Sequence, residues 1–404
     1  MVARSDWEPI KRVPLSTYRA QNRGGKGRSG MSTREEDQVS QLFVACTHSP
    51  LLFFSSRGIV YKIKTYRLPE GSPQSLGKAL INLLPLQQGE TISTILTLPE
   101  SQEECGDQTV MFATASGGVR RNRLTDFYNV QSNGKIAMKL DEGDKLIGVQ
   151  ICNDTDDVLL AAAGGKCVRF PVTDVRVFES RASTGVRGMK LPDGESVISM
   201  SIVKHAKADI EKRDAYLKEA AAKRRALGEM EEGEVIETET TTNATLTPEE
   251  FEKMASEEEF ILTITDKGFG KRTSAYEYRI TARGTSGVTN IKMDERRKAD
   301  VVATMPVPDD AHLMMVTDGG KLIRMRISDI KIAGRSTMGV ILFRLDKDEK
   351  VVSATCITDV EEEVEETQTT QPTDSLNEIS ETDTVKEVST EEESASLQEE
   401  ETEE

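Results

Sequence analysis

A pattern that recurs about every 50 residues constrains this 404-residue chain more than any other feature of its sequence. The clearest copy is VMFATASGGVRRNRLTDF, which begins at Val110 and is followed by SNGKIAMKL and KLIGVQI. Short runs of alternating apolar and polar residues, separated by glycine turns, are typical of β-strands. Each copy of the pattern therefore predicts about four short strands.

The pattern can be counted on the second glycine of each copy. These glycines are Gly30, Gly77, Gly134, Gly185, Gly287 and Gly339. Their intervals are 47, 57, 51, 102 and 52 residues, and the long interval falls to 48 when the 54 residues of segment 206–259 are removed. The chain therefore has six repeats with an insertion between the fourth and the fifth. The opening MVARSDWEP lacks a regular apolar strand and a glycine turn, so the first strand is expected to be irregular.

Six such repeats favour a closed wheel. A single four-stranded unit cannot bury both of its faces, so it must pack against its neighbours. Radial closure leaves only short, protected strand edges. We therefore predict an all-β, six-bladed, propeller-like wheel, with blades 1–4 in residues 1–205 and blades 5–6 in residues 260–360. An open β-solenoid is the structural alternative, although its repeats are usually shorter, about 20–30 residues.

Acidic residues are concentrated in two segments outside the repeats. Residues 361–404 carry eighteen acidic residues and one basic residue, and the insertion 206–259 carries sixteen and eight. The net charge of the whole chain is −17, whereas the remaining residues hold 43 bases and 35 acids and are net +8. The tail 361–404 is predicted to be disordered. In the insertion, a solvated surface helix ending at Gly228 is predicted, followed by disorder in GEVIETETTTNATLTPEE.

Basic residues recur in register within the repeats. A cation stands four positions after a turn glycine, or at the equivalent place in the first repeat, as Arg12, Lys62, Arg121, Arg169, Arg272 and Arg324. The neighbouring cations are Lys11, Lys64, Arg120, Arg123, Lys271 and Arg326. On a wheel these positions share one circumference, where they could follow a DNA phosphate backbone without reading its sequence. Strand edges also carry Lys or Arg to prevent edge-to-edge pairing, and that interpretation stays open for each residue.

The first repeat contains a glycine-rich basic loop, QNRGGKGRSG, from Gln21 to Gly30. Its glycines permit close approach of the backbone, and Arg23, Lys26 and Arg28 supply partners for phosphate. The spacing of a phosphate-binding P-loop is not met here. Alone, such a loop is a weak signal, and its meaning depends on the repeats around it.

Together, the repeats and this loop resemble the C-terminal domain of the A-type chain of bacterial DNA gyrase, a type IIA topoisomerase. The family's box has the form Q-R-R-G-G-K-G and is matched by Gln21, Asn22, Arg23, Gly24, Gly25, Lys26 and Gly27. Asn22 stands where the family has Arg, which removes one charge. The resemblance covers about residues 10–360. The related topoisomerase IV protein, the alternative family member, generally lacks an intact box.

The resemblance implies a β-pinwheel whose basic rim binds and wraps duplex DNA and so supports ATP-dependent negative supercoiling. The implied partners are the gyrase cleavage domain and the gyrase B subunit, in an A2B2-type complex in the cytoplasm. The resemblance also implies that the box residues from Gln21 to Gly27, together with Arg28, contact DNA.

Catalytic residues are not expected in this chain. It has no counterpart of the family's cleavage domain, so none of its tyrosines is assigned as a nucleophile. ATP and Mg²⁺ are expected only in the cleavage domain and the gyrase B protein, and no metal or cofactor in this chain. His48, His205 and His312 lack the spaced partners of a metal site or a triad. The alternative function is a propeller that serves as a protein-interaction scaffold.

Overall fold

The computed structural model describes residues 2–5, 9–14, 28–29, 39–43, 45–72, 75, 77–99, 101–179, 183–205, 208–230, 236, 238, 244–293 and 299–357. Of residues 2–5, 28–29 and 39–42 only the backbone is described. The predicted disordered tail, 361–404, lies outside these residues. Among the described helices, none is long and apolar enough to cross a membrane.

The described strands form six antiparallel, four-stranded sheets, which are the blades of a wheel. The innermost strands are β4 (Val39–Phe43), β8 (Ile92–Thr97), β12 (Leu146–Cys152), β16 (Val197–Lys204), β20 (Val301–Val307) and β24 (Val351–Ile357). The second strands are β1 (Val2–Ser5), β5 (Pro50–Ser55), β9 (Thr109–Thr114), β13 (Asp156–Ala162), β17 (Phe260–Thr265) and β21 (His312–Thr317). The third strands are β2 (Pro9–Arg12), β6 (Ile59–Lys64), β10 (Gly118–Arg123), β14 (Lys166–Pro171), β18 (Phe269–Ser274) and β22 (Lys321–Arg326). The outermost strands are β3 (Arg28–Ser29), β7 (Lys78–Ala79), β11 (Lys135–Ile136), β15 (Val186–Arg187), β19 (Val288–Thr289) and β23 (Val340–Ile341).

The blades pack around a central cavity, which confirms the predicted wheel. Strands β4, β8, β12, β16 and β24 line this cavity of about 540 Å³, and β24 of the sixth blade contacts β4 of the first. Apolar side chains fill the spaces between blades. Between the second and third blades, for example, the ring of Phe54 lies 5.5 Å from that of Phe112 and 5.9 Å from that of Phe127. Burial of such faces between blades provides the main driving force for closure.

The outermost strand of each blade belongs to the next repeat in the chain. Strand β7 pairs with β2, and β19 pairs with β14 across the insertion. The ring is closed by β3 of the first repeat, where Arg28 is paired with Leu322 of the sixth blade. Each blade is therefore built from two sequence repeats. The fourth blade, for example, takes its outermost strand from Val288–Thr289, which lies outside the residues 1–205 expected to hold blades 1–4. The exchange protects the outer edge of every third strand, because an unpaired edge would invite aggregation.

We call the segment that crosses to each outermost strand a strap. The five described straps are residues 68–77, 128–134, 175–185, 278–287 and 330–339, of which 73–74, 76 and 180–182 lie outside the described residues. Each ends in a glycine with φ between 77° and 98°. A Cβ on Gly287 would lie 2.2 Å from the carbonyl oxygen of Cys167 on β14. Glycine is thus needed at this position for two reasons: the backbone is left-handed there, and a side chain would collide with the neighbouring third strand.

The first blade has four strands, like the other five. Strand β1 (Val2–Ser5) pairs with β2 on one side and with β4 on the other, so this blade has four strands despite its unusual opening sequence. Pairing through main-chain hydrogen bonds does not require an apolar side chain at each position. Strand β1 is nevertheless short, with four residues against six or seven in the other second strands, and its register with β4 shifts between Arg4 and Ser5. The expected irregularity of this strand does not prevent the blade from forming.

The insertion differs from its prediction. Helix α1 (Ile210–Ala226) was expected to be solvated, but seven of its residues are buried. Helix α2 (Pro248–Glu257) begins within the stretch expected to be disordered, behind a capping box formed by Thr247 and Glu250. Residues 231–235, 237 and 239–243 lie outside the described part of the chain. The capping box T-P-E-E was the sequence signal for α2.

Candidate nucleic-acid interface

The recurrent cation of each third strand is not on the surface. Arg121, Arg169, Arg272 and Arg324 are only 3–6% exposed, and Arg12 and Lys62 are half-buried. The sequence predicted an exposed row at these positions, and the structure contradicts that exposure. The prediction that a cation repeats at this position is correct. Successive side chains of a strand point to opposite faces of the sheet, and this position faces the neighbouring blade.

Arg169 shows what this position does. Its Nε donates to Oδ2 of Asp157 at 2.8 Å, Nη1 donates to the Ala275 carbonyl at 2.7 Å, and Nη2 donates to the Lys204 carbonyl at 2.6 Å. Ala275 belongs to the next repeat, so one guanidinium joins two neighbouring blades. Asp157 is fully buried and also lies 2.7 Å from Nδ1 of His205.

The same contact recurs in other blades. Arg272 Nε donates to the Ile330 carbonyl at 2.7 Å, and its guanidinium pairs with Asp309. Arg12 Nε donates to the Leu68 carbonyl at 3.1 Å, and Arg121 pairs with Asp154 while its Nη1 reaches the Val172 carbonyl. Lys62 donates to the Tyr128 carbonyl. Burial lowers the pKa of Arg121 and Arg272 from the usual arginine value. We call these residues, with Arg169, the interblade cations: Arg12, Lys62, Arg121, Arg169 and Arg272.

A second group of predicted cations holds the straps of alternate blades. Lys11 Nζ donates to the carbonyls of Ser72 and Ser75 at 2.9 Å. Lys271 Nζ donates to the carbonyls of Gly334 and Arg335 at 2.6 Å. Arg120 likewise donates to the carbonyl of Ser183 in the strap of the third blade. All three are fully buried, and burial lowers the pKa of Lys11 to about 8.

The remaining predicted residues divide into two sets. Arg123 and Arg326 are exposed, and Lys64 is half-buried, with its Nζ donating to the His48 carbonyl at 3.1 Å. The box residues Gln21, Arg23, Gly24, Gly25, Lys26 and Gly27 lie outside the described residues, as does the side chain of Arg28. The described backbone on either side shows that the chain leaves the first blade after β2 and enters the sixth at β3. The box therefore connects these two blades.

The structure reveals solvent-accessible cations that the sequence interpretation missed. They lie on the straps, next to them, or on the outermost strands, and we call them the rim cations: Arg67, Lys78, Lys135, Arg176, Arg187, Arg279 and Arg283. All are exposed except Lys135, which is half-buried. Among the described residues, no carboxylate forms an ion pair with any of them. Two of them donate to backbone carbonyls, Lys135 to Asp126 at 2.7 Å and Arg283 to Asp174 and Arg187 at 3.1 Å. Lys78, Lys135 and Arg187 follow the second glycine of the repeat by one or two positions, and that spacing was the signal that could have identified them.

The described tyrosines differ in exposure, since Tyr66 is 51% exposed and four others are buried. Tyr61, Tyr216, Tyr276 and Tyr278 are buried, and desolvation raises the pKa of each phenol, to about 12 for Tyr61 and Tyr276. A phenolate is therefore disfavoured at these sites. Their hydroxyls serve packing and hydrogen bonding, as when Tyr61 donates to Glu90 at 3.0 Å.

Comparison with known proteins identifies a single family. The family model described as the DNA gyrase C-terminal domain, a β-propeller, matches residues 10–46, 49–99, 108–153, 156–204, 259–308 and 311–358. The DNA gyrase A protein of Rickettsia bellii is 52% identical over 357 residues, which cover 88% of this chain and 39% of that protein. The DNA gyrase A protein of Escherichia coli K12 is 39% identical over 343 residues, which cover 85% of this chain and 33% of that protein. The chain thus spans well under half the length of these relatives.

Solved structures agree at the level of the fold. The structure of a DNA gyrase A C-terminal domain superposes with a TM-score of 0.67 at 22% identity, covering 88% of this chain and 98% of that one. The C-terminal domain of a DNA topoisomerase IV superposes with a TM-score of 0.58 at 16% identity, covering 88% and 92%. At these identities the superpositions show a shared architecture.

Proposed function

Because this chain belongs to the DNA gyrase C-terminal β-propeller domain family, we propose that it binds duplex DNA and wraps it around the outer edge of the wheel as part of a gyrase A protein. The relatives named above are gyrase A proteins, which favours this interpretation over topoisomerase IV. In that role the wrapped segment would be presented for strand passage and so support ATP-dependent negative supercoiling.

The single observation that carries this proposal is the set of rim cations. The outermost strands of three consecutive blades each carry one of these cations: Lys78 and Lys135 are the first residue of their strand, and Arg187 is the second. Cations repeated at one radius match the regular spacing of charges along a DNA backbone, and such contacts position DNA without reading its sequence. The β-wheel supplies the curvature along which the duplex would bend.

The predicted DNA-contacting residues would then have two different roles. The box residues and Arg123, Arg326 and Lys64 remain candidates for phosphate contacts, together with the rim cations. The interblade cations and the strap-holding Lys11, Arg120 and Lys271 contribute indirectly, because they are buried or half-buried and donate to backbone carbonyls of the wheel. They act as positioning residues that fix the shape of the surface on which DNA would lie.

The whole protein's partners follow as part of the same proposal. We infer that the chain works beside a gyrase cleavage domain and a gyrase B subunit, in an A2B2-type complex that requires ATP and Mg²⁺ in those parts. Its compartment would be the cytoplasm, where the chromosomal DNA lies. All five cysteines are free thiols, as expected in reducing surroundings.

Binding of duplex DNA is expected to weaken steeply as salt rises. If about six phosphates are neutralised, the slope of log K against log[salt] should be about −5, and it should be the same for unrelated DNA sequences. Fluorescence anisotropy with a labelled duplex at several salt concentrations measures this slope. Replacing Lys78, Lys135 and Arg187 together by Gln should make the slope less negative by about three, since each phosphate contact contributes roughly one.

Two controls keep that experiment specific. Circular dichroism and the unfolding temperature should be unchanged in the triple variant, because none of the three side chains is fully buried. A slope indistinguishable from zero in the unmodified protein would contradict DNA binding at the rim. It would favour the alternative, a protein-interaction scaffold, whose affinity depends only weakly on salt.

A further inference from the structure

The two inserted helices are fixed on the fifth blade. Tyr216 of α1 lies edge-on to Tyr276, with ring centroids 5.4 Å apart. The Tyr276 hydroxyl donates to the carbonyl of Met254 in α2 at 3.1 Å. All three residues are at most 7% exposed, and Tyr276 belongs to the turn that directly follows β18. The insertion is thus part of the outer surface of this blade.

Several basic residues of the insertion form ion pairs or cation–π contacts with other residues of the insertion. Arg224 pairs with Glu258, and Nζ of Lys212 lies 2.7 Å from Oε1 of Glu250. Lys223 Nζ stands 3.4 Å from the centre of the Phe251 ring. These contacts join α1 to α2 and to the strand entry at Phe260. Lys212, Lys218, Lys223 and Lys253 are still exposed, so the insertion presents both signs of charge to solvent, with acidic residues in excess.

The outer surface of α2 is acidic. Glu249, Glu252 and Glu257 are exposed, and none of them has an ion-pair partner within the described part of the chain. Lys253 is the one basic residue of the helix. The insertion as a whole has sixteen acidic and eight basic residues. A duplex that approached this surface would meet like charge.

The outermost strands under the insertion lack the cation that the other outermost strands carry, although the strap of the fourth blade carries the rim cations Arg279 and Arg283. The outermost strands of the first three blades carry Lys78, Lys135 and Arg187, and that of the sixth carries Arg28. Those of the fourth and fifth blades are Val288–Thr289 and Val340–Ile341, with no basic residue. The two outermost strands without a basic residue therefore lie in the same sector as the acidic insertion.

Helix α1 reaches the rim itself in that sector. Arg213 and Asp214 of α1 line a cleft of about 390 Å³ together with Arg279, Thr289 and Arg335. Thr289 is on the outermost strand of the fourth blade, and Arg335 is in the strap that covers the fifth. The helix thus lies against the junction between these two blades.

We propose that the insertion is an acidic cover that interrupts the DNA-binding rim at the fourth and fifth blades, so that wrapped duplex follows a continuous arc over the sixth, first, second and third blades. The ligand is duplex DNA, and the proposal rests on the rim path of the proposed function. Repulsion by α2 and the absence of cations on these two outermost strands act in the same direction.

Two matched positions allow a direct test. Ile136 of the second blade and Ile341 of the fifth are both the second residue of an outermost strand and are 62% and 51% exposed. Each is replaced by Cys (Ile136→Cys or Ile341→Cys) in a Cys46→Ser/Cys356→Ser background of the full chain and labelled with a photo-crosslinker. Crosslinking to a long labelled duplex is measured at low salt. We expect the yield at position 136 to exceed that at position 341 at least tenfold.

A second variant separates charge from shape. Glu249→Gln/Glu252→Gln/Glu257→Gln keeps the capping box and the aromatic contacts of the insertion, and it should raise the yield at position 341 at least threefold while leaving position 136 unchanged. Equal yields at the two positions in the protein with its native glutamates, or no response at position 341 to the glutamines, would overturn the cover. No crosslinking at position 136 would instead contradict the rim path of the proposed function, so the two failures are distinguishable.

Discussion

Replacing Arg169 by Met is expected to lower the free energy of unfolding by about 3–5 kcal/mol, the usual cost of removing one partner of a buried ion pair. Asp157 is fully buried, and without the guanidinium its carboxylate keeps only the His205 imidazole as a side-chain partner among the described residues. The carbonyls of Ala275 and Lys204 also lose their donor, which loosens the contact between the fourth and fifth blades. Urea denaturation followed by circular dichroism measures the effect.

Arg123→Met is the matched control for this prediction. Arg123 is an exposed arginine on the third strand of its blade, and its replacement should change stability by no more than about 0.5 kcal/mol. Adding Asp157→Leu to Arg169→Met should restore part of the loss, because it removes the uncompensated carboxylate. If Arg169 acted only as a DNA contact, its replacement would alter the salt slope of binding and leave the unfolding curve in place. That result would refute the interblade role.

Replacing Arg23, Arg28 and Lys26 together by Ala is expected to abolish topological wrapping while leaving simple DNA binding largely intact. The box connects the first and sixth blades, where the ring closes, so its charges would hold one end of a wrapped segment. The rim cations elsewhere would still attract DNA. Wrapping is measured by ligating relaxed circles around the protein and counting the trapped change in linking number.

The matched control carries the same loss of charge outside the box. Lys78→Ala/Lys135→Ala/Arg187→Ala removes three rim cations, so it should weaken binding and reduce the linking change in proportion, without abolishing it. Arg28→Ala leaves the β3–β22 pairing in place, because that pairing uses the main chain. An unchanged linking number in the box variant would refute its role as an anchor. Loss of DNA binding in the box variant, with wrapping and binding lost together, would show instead that the box is the main binding site.

The repeated elements were predictable because their signals are local. Glycine turns, short alternating strands and the count of six follow from residues that are close together in the chain. The second glycine of each repeat is an example, since Gly287 and its described equivalents are required by a left-handed backbone. The tendency of four-stranded units to stack then led from the repeats to a closed wheel.

The burial of the recurrent arginines could not be predicted in the same way. Arg169 and Asp157 are 12 residues apart, but Ala275, which accepts from the same guanidinium, is 106 residues away, beyond the insertion. A cation that repeats in sequence is compatible with an exposed rim and with a buried contact between blades. Only the position of the next blade decides between them, because it supplies the carbonyls that compensate for desolvation.

Sequence alone determined that this chain is a six-repeat β-wheel with an insertion, two acidic segments and a glycine-rich basic loop in its first repeat. Tertiary structure decided that each outermost strand comes from the next repeat, that the recurrent arginines join blades, and that Lys78, Lys135 and Arg187 are the cations accessible on the outermost strands. It also placed Tyr216 of the insertion against Tyr276 of the fifth blade. The physical reason is that strand periodicity is encoded by neighbours in the chain, whereas burial and charge pairing depend on residues that only the closed ring brings together.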